Sequence, residues 1–349
     1  MKKTGPTIQD VARIARVSTA TVSRALSNPG LVREATRKRV AEAVAATGYT
    51  MNEAARSLRL NRSGALLVMV PEIHNPFFSR IIGGMETVAS EAGYGLLIAN
   101  TGRDDASESR FYDYVRGNRA DGLLLLDGAV PPDGGAGAHM PPLIVVCERV
   151  PGAVVPTVIV DNAAGAAAAV RHLAGLGHRD IGHVAGPDGN ILTADRIEGY
   201  RRGLREAGLR DRPEWMFPGD FSLCAGVAAA ERWLALARRP TALFTSNDEM
   251  AFGLISRLHG EGVGVPEDVS VIGFDDIEVS GLFVPGLTTI RQPREELGRR
   301  AVRLLLDIIA GDDVPPETVM LDTELVIRGS TAPPPPVAVQ APGEAAAAK

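Results

Sequence analysis

The chain runs to 349 residues, 23% charged and 5% aromatic, enough for two or three domains with a large core; with no apolar run of membrane-spanning length and no signal-peptide segment, it reads as cytoplasmic, with no membrane role. Two cysteines, Cys147 and Cys224, exclude a disulfide framework and a cysteine metal site, and read as buried small hydrophobes of a reducing compartment. The formal net charge of −5 conceals a split: residues 1–63 carry 12 Lys+Arg against 4 Asp+Glu, net +8, and the remainder 25 against 38, net −13, the pattern of a polyanion-binding module joined to a different body.

The basic segment predicts three short helices. Thr7 is a good N-cap, Asp10 sits three residues on, and Val11, Ile14 and Ala15 follow at helical spacing. Arg16 and Val17 make a tight break, and Ser18 caps a second helix with Val22, Ala25 and Leu26 on one face. The other face presents Thr19, Ala20, Ser23 and Arg24, which are small, polar or cationic. This suits a helix-turn-helix with its second helix in the major groove; an ordinary capped pair in a small bundle is the alternative. A third helix spans 33–47, with Ala35, Val40, Ala43 and Val44 inward and Arg37, Lys38 and Arg39 outward, at phosphate height or merely solvated. It lacks the usual small polar N-cap, since Arg33 holds that position. Residues 49–63 read as a linker with a short helix, 53–60, capped by Asn52 and too short to persist alone in water.

From Ala65 short apolar strands alternate with amphipathic helices. Strands are predicted over 65–70, 96–99, 122–126, 143–147, 158–160, 181–185, 242–245, 270–273, 319–321 and 325–327, and helices over 77–92, 107–116, 163–176, 194–207, 225–236, 248–259 and 293–310. Fully apolar strands interleaved with helices imply parallel sheets covered on both faces, and about ten strands imply two doubly wound lobes. The fold class is therefore α/β: a helix-turn-helix domain over 1–48, a hinge over 49–63, and a two-lobed core over 64–331. Lobe 1 takes about 64–161 and 291–322, and lobe 2 about 162–290 and 323–331. The Gly/Pro/Ala loop 131–142 reads as mobile, and the proline- and alanine-rich tail 332–349 as disordered. A ligand cleft is expected between the lobes at strand carboxyl ends.

No Gly-rich nucleotide loop, nucleophile elbow or zinc-protease motif is found. Six histidines lack metal spacing, and His178 and His183 flank the start of a strand in structural or solvent-facing roles. No catalysis, cofactor or metal is expected. Binding is. Asn75, Phe77 and Phe78 follow a strand end, where two aromatic faces suit stacking on a sugar ring or base, core packing being the alternative. Arg196 opens a helix, and Asn247, Asp248 and Asp275 lie just past apolar strands. Their oxygens suit ligand hydroxyls, although Asp248 also reads as a helix cap. An arginine, two carboxylates and an aromatic pair fit a pentose, a hexose or a nucleoside.

The run Val17-Ser18-Thr19-Ala20-Thr21-Val22-Ser23-Arg24-Ala25-Leu26, followed by Asn28-Pro29, Thr36-Arg37, Gly48-Tyr49 and Ala54-Ala55-Arg56-Ser57-Leu58, resembles the LacI/GalR-type bacterial repressors. The likeness continues through Asn75-Pro76-Phe77-Phe78, Val160-Asp161-Asn162, Ile272-Gly273-Phe274-Asp275 and Leu287-Thr288-Thr289-Ile290 to Ile327-Arg328-Gly329-Ser330-Thr331, nearly the whole chain. Within the family it runs to the cytidine-responsive repressors. The resemblance implies operator DNA as partner, with Thr19, Ala20 and Arg24 at base edges, Thr7, Ser18 and Ser23 at phosphates, and Thr21 and Asn28 on the same surface. Ala20 departs from relatives with a long amide there and offers only a methyl, so the half-site should be read more loosely. In the hinge, Ala54 and Ala55 would allow close helix contact and Arg59 would meet phosphate. Leu58 would enter a minor-groove step, or else pack as a surface leucine. The effector set it implies is Asn75, Phe77, Phe78, Asp127, Arg196, Phe221, Asn247, Asp248, Asp275 and Gln292. It further implies a homodimer, a nucleoside or sugar effector that weakens operator binding, and room for the catabolite activator protein as a second protein partner. The alternative is a sugar- or nucleoside-binding protein, or an enzyme, whose helical head only dimerises it.

Overall fold

The computed structural model describes residues 6–49, 62–102, 112, 119–128 and 141–335. The chain forms two compact units, Met1–Ser63 and Gly64–Lys349.

The first unit holds α1 (Ile8–Ala15), α2 (Thr19–Ser27) and α3 (Glu34–Thr47). The Asp10 carboxylate accepts from the backbone N–H of Thr7 at 3.0 Å and its hydroxyl at 2.8 Å, bonds that hold its pKa down to about 2. Arg16 reverses the chain at φ 55°, and Ser18 Oγ accepts from Thr21 N at 3.2 Å to start α2. Arg33 makes no side-chain cap bond. Val11, Ala12, Ala15, Val22, Ala25, Val40 and Ala43 form the core. Two expected core residues are outside it: Ile14 is 48% exposed, and Ala35 is exposed too. At 100° per residue, the buried face of α1, Val11, Ala12 and Ala15, is centred near Ala15, and Ile14 falls roughly 100° away from it. The same rotation carries Ala35 off the Val40–Ala43 face.

The second unit contains two six-stranded sheets. Lobe 1 orders its strands β11-β5-β4-β3-β1-β2, all parallel, from β1 (Ala65–Val70), β2 (Gly95–Asn100), β3 (Gly122–Leu125), β4 (Leu143–Val146), β5 (Thr157–Val160) and β11 (Thr318–Leu321). Lobe 2 orders β12-β10-β9-β8-β6-β7, from β6 (Ile181–Val184), β7 (Met216–Phe217), β8 (Ala242–Thr245), β9 (Ser270–Asp275), β10 (Thr288–Arg291) and β12 (Glu324–Val326). Its ladders are parallel except β10 with β12, where Thr289 faces Val326. In each lobe the first strand lies next to the edge, with the second strand outside it and the third inside; such reversals in strand order are where open α/β sheets bind ligands. The two-residue β7 and the polar Thr-Thr-Ile-Arg of β10 escape an apolar-run reading.

Among the described residues, six helices cover the sheets: α4 (Pro76–Glu91), α5 (Asn162–Gly175), α6 (Ile191–Glu206), α7 (Leu223–Ala235), α8 (Asp248–Gly260) and α9 (Arg294–Ala310). The chain leaves lobe 2 after β10 and runs into α9, which packs on α4 in lobe 1. That crossing is close because both helices place glycine at it. A Cβ on Gly84 would lie 2.1 Å from Glu295 O, and one on Gly298 2.0 Å from Ile81 O.

Cys147 is buried, but Cys224 is exposed, contrary to expectation; α7 turns Gly226, Ala229, Ala230 and Trp233 inward and leaves Cys224 on its other side. His178 and His183 are both fully buried. Order also extends past residue 331, where the tail was expected to begin. Ala332 O accepts from Ser270 Oγ at 3.0 Å and lies 2.8 Å from His178 Nε2. The expected hinge helix with Ala54, Ala55, Leu58 and Arg59, the helix over 107–116, most of the loop 131–142 and the tail from 336 lie outside the described residues. No helix among the described residues is long and apolar enough to cross a membrane, and no group of three or more His, Cys, Asp or Glu among them could hold a metal ion.

Candidate functional site

A cavity of about 280 Å³ opens between the two lobes of the second unit. Its walls are the residues that follow strand carboxyl ends: Pro71 and Glu72 after β1, Leu126 after β3, Cys147 and Glu148 after β4, Pro187 beyond β6, Asn247 after β8, and Asp275 closing β9.

From lobe 1, Asn75 Oδ1 accepts from Phe77 N at 2.8 Å and caps α4. That sets Phe77 and Phe78 in its first turn, ring centroids 5.1 Å apart and edge-on at 77°. Both line the cavity and both belong to the apolar core, so core packing does not take them out of the cavity wall. From lobe 2, Arg196 on α6 is 3% exposed. Its Nε donates to Asn162 Oδ1 at 3.0 Å and its Nη1 to Ser246 O. Its Nη2 lies 3.9 Å from Asp275 Oδ1, and its guanidinium 4.0 Å from the Phe274 ring centroid. Phe221 stands at φ 72°, and its carbonyl accepts from Asn247 Nδ2 at 2.8 Å. Asn247 Oδ1 caps α8 at Met250 N, 3.0 Å.

Three expected contacts lie elsewhere. Asp248 neither lines the cavity nor caps α8. Fully buried, it accepts from Ile277 N at 3.0 Å, Ser280 Oγ at 2.6 Å and Thr289 Oγ1 at 2.6 Å, tying the loop after β9 to β10. Gln292 stands behind the wall, its Nε2 donating to Asp275 Oδ1 at 2.7 Å. Asp127 borders a neighbouring depression and accepts from Thr101 Oγ1 at 2.8 Å. The structure adds Glu148, 7% exposed, whose Oε1 accepts from Asn190 Nδ2 at 3.2 Å across the lobes. The signal that pointed to Asp275, a carboxylate just past an apolar strand, applied equally to Glu148. Thr193, also missed, buries a hydroxyl with no hydrogen-bond partner; an atom built as Cβ on Gly186 would lie 2.4 Å from that oxygen and 2.5 Å from the Phe221 ring.

Burial pushes the Asp275 carboxyl above the usual carboxylate range, against the pull of Arg196 and Arg294. Burial also pulls the Arg196 guanidinium down, opposed by Asp275, Glu148 and Asp248. Burial, then Glu148, push the Cys147 thiol far up, so it stays a neutral wall atom. Half-buried Glu249 is raised by burial and by Glu72. The site is an acceptor-rich slot with aromatic walls, its Arg196, Asn247 and Asp275 side chains buried.

In the first unit, Thr7, Ser18, Thr19, Ala20, Arg24 and Asn28 are exposed, and Thr21 and Ser23 are half-buried. The Ser18 and Thr21 hydroxyls are 2.9 Å apart. Arg24 is exposed, and its Nε lies 3.4 Å from Ala20 O within its own turn.

Residues 7–52 match the sequence profile of bacterial regulatory proteins of the lacI family, and residues 170–331 that of a periplasmic binding protein-like domain. The chain is 42% identical over 332 residues to the HTH-type transcriptional repressor CytR of Escherichia coli strain K12, covering 95% of this chain and 97% of that one. It is 36% identical over 329 residues to the HTH-type transcriptional repressor PurR of Aliivibrio salmonicida, covering 93% and 98%. Among solved structures, the lac repressor dimer bound to operator and the anti-inducer ONPF superposes with a TM-score of 0.85 at 28% identity, covering 94% and 100%.

Proposed function

Because this chain belongs to the LacI family of bacterial regulatory proteins, we propose that it is a cytoplasmic, homodimeric transcriptional repressor that reads an operator with α2 and releases it in response to a nucleoside or sugar. The observation that carries this reading is one chain with two binding surfaces of opposite chemistry: a basic headpiece with an exposed, short-side-chain face on α2, and a carboxylate-lined aromatic slot between two lobes. Arg24 supplies a bidentate contact to guanine, about 1–3 kcal/mol of discrimination. Thr19 and the Ala20 methyl lie beside it, Thr7, Ser18, Thr21, Ser23 and Asn28 hold the surrounding backbone, and Ala54, Ala55, Leu58 and Arg59 serve the hinge. In the slot, Phe77, Phe78 and Phe221 hold the ring face, while Glu148 and Asp275 accept from hydroxyls or amines. Arg196 and Asn75 flank them, and Asn247, Gln292 and Asp248 position the walls. An effector touching both lobes favours one lobe arrangement and so biases DNA affinity, by about 1–3 kcal/mol. The catabolite activator protein is a candidate second partner on shared promoters.

The test is selection from a random duplex pool with the full-length protein. The reading expects one enriched palindromic motif, bound at least a hundredfold tighter than scrambled duplex. No enriched motif would overturn it.

A further inference from the structure

Charge and helix-end geometry narrow the chemistry of the effector. We infer that the slot takes an unphosphorylated, hydroxyl- or amine-bearing molecule of nucleoside or monosaccharide size and rejects its phosphate esters; this rests on the effector reading above.

Three observations carry it. Three helices, α4, α6 and α8, start at the cleft, and helix N-termini are the usual cradle for phosphate because their first N–H groups are unpaired. Here an asparagine at each start already takes one or two of those N–H groups. Asn75 takes Phe77 N at 2.8 Å, Asn190 takes Leu192 N at 2.9 Å and Thr193 N at 3.2 Å, and Asn247 takes Met250 N at 3.0 Å. A phosphate at any of these starts would compete with a formed cap for part of the cradle.

The ionisable wall is the second. Glu72, Glu148, Asp220 and Asp275 face one cation, Arg196, among the described lining residues. Arg196 is already opposed by Asp275 and Glu148 and donates to Asn162 and Ser246. A phosphate would add like charge beside the buried Glu148 and Asp275 carboxylates, where such repulsion is weakly screened. Carboxylate oxygens only accept, so they select ligand donors.

Size is the third. The cavity, about 280 Å³, sits at the small end of the roughly 300–1,000 Å³ usual for small-molecule sites. A molecule of monosaccharide or nucleoside size fills it.

The experiment is isothermal titration calorimetry on the full chain with matched pairs: cytidine, adenosine, ribose and glucose against cytidine 5′-monophosphate, adenosine 5′-monophosphate, ribose 5-phosphate and glucose 6-phosphate. At least one parent should bind, and its ester at least a hundredfold more weakly. An ester within tenfold of its parent overturns the inference while leaving the effector reading intact. If neither member of any pair binds at millimolar concentration, the effector reading falls and the inference with it. The double variant Glu148→Gln, Asp220→Asn isolates the cause. It keeps an acceptor for Asn190 and for Ser222 N, which Asp220 Oδ1 now serves at 2.9 Å, and removes two charges. It should narrow the parent-to-ester ratio at least tenfold by strengthening the ester; an unchanged ratio overturns the electrostatic argument.

Discussion

Asp248 shows how one buried residue can serve a site it does not touch. Its two oxygens collect three donors from the loop after β9 and from β10, and that loop follows directly from Asp275. Burial and Asp275 push its carboxyl upward, and the three donors pull it back. Asp248→Ala would strand the Ser280 and Thr289 hydroxyls and the Ile277 N–H. The expected cost is about 3 kcal/mol or more, read as a fall of several degrees in thermal midpoint and a weaker effector complex; an unchanged midpoint would contradict the brace. His183 makes a separate prediction. It stacks between Tyr200 and Phe244 at 5.1 and 4.6 Å, its Nδ1 lies 2.9 Å from Phe244 O, and burial takes its pKa to about 3. Unfolding restores an ordinary value near 6.5, so the unfolded chain binds more protons between those limits. The stability His183 contributes is present above pH 6.5 and is lost progressively as pH falls toward 3, by at most about 1.4 kcal/mol per pH unit. Urea unfolding at pH 7 and pH 5 should show this slope reduced in His183→Phe; the raised carboxyls of Asp248 and Asp275 act with opposite sign at low pH but are common to both proteins. At the headpiece, Arg24→Ala should weaken operator and scrambled duplex towards equality, a loss of about 1–3 kcal/mol in discrimination, measured by fluorescence anisotropy.

At the scale of elements, what could be read from sequence was what periodicity encodes. Strands β1, β3, β4 and β8 are uninterrupted apolar runs with every position but Ala65 buried, and such runs announce a parallel sheet before any contact is known. β10 did not announce itself: Thr288 and Thr289 are fully buried, yet their hydroxyls are satisfied by Thr331 and Asp248, partners far away in the chain. The site divided along the same line. Phe77, Phe78, Arg196, Asn247 and Asp275 sit after strand ends and were legible, and all five line the slot. Asp248 and Gln292 sit at equivalent positions but turn behind the wall: Asp248 is held by β10 and the loop 277–280, and Gln292 by the Asp275 carboxylate itself. Helix packing was hidden too, since nothing local marks Gly84 and Gly298 as mutual contacts of α4 and α9. Gly298→Ala should force that crossing apart at about 1–3 kcal/mol, seen as a lower thermal midpoint; no change would mean the helices have room to spare.

Taken whole, the molecule separates charge by task, +8 over residues 1–63 and −13 over the rest. The acidic body discourages indiscriminate binding to polyanions, and the basic segment supplies the grip. Operator affinity should therefore fall about a thousandfold or more between 50 and 200 mM salt, as counterion release from six or more neutralised phosphates requires. Effector affinity, set inside the cleft by buried side chains, should change far less. The central claim is that the slot and the headpiece are energetically linked. Its most direct test is fluorescence anisotropy of the selected operator with full-length protein at fixed salt, without ligand and with a saturating amount of whichever nucleoside or sugar binds by calorimetry. The account predicts a roughly 5- to 150-fold weaker operator complex in the presence of that ligand; an operator affinity that does not move while the ligand is demonstrably bound would contradict it.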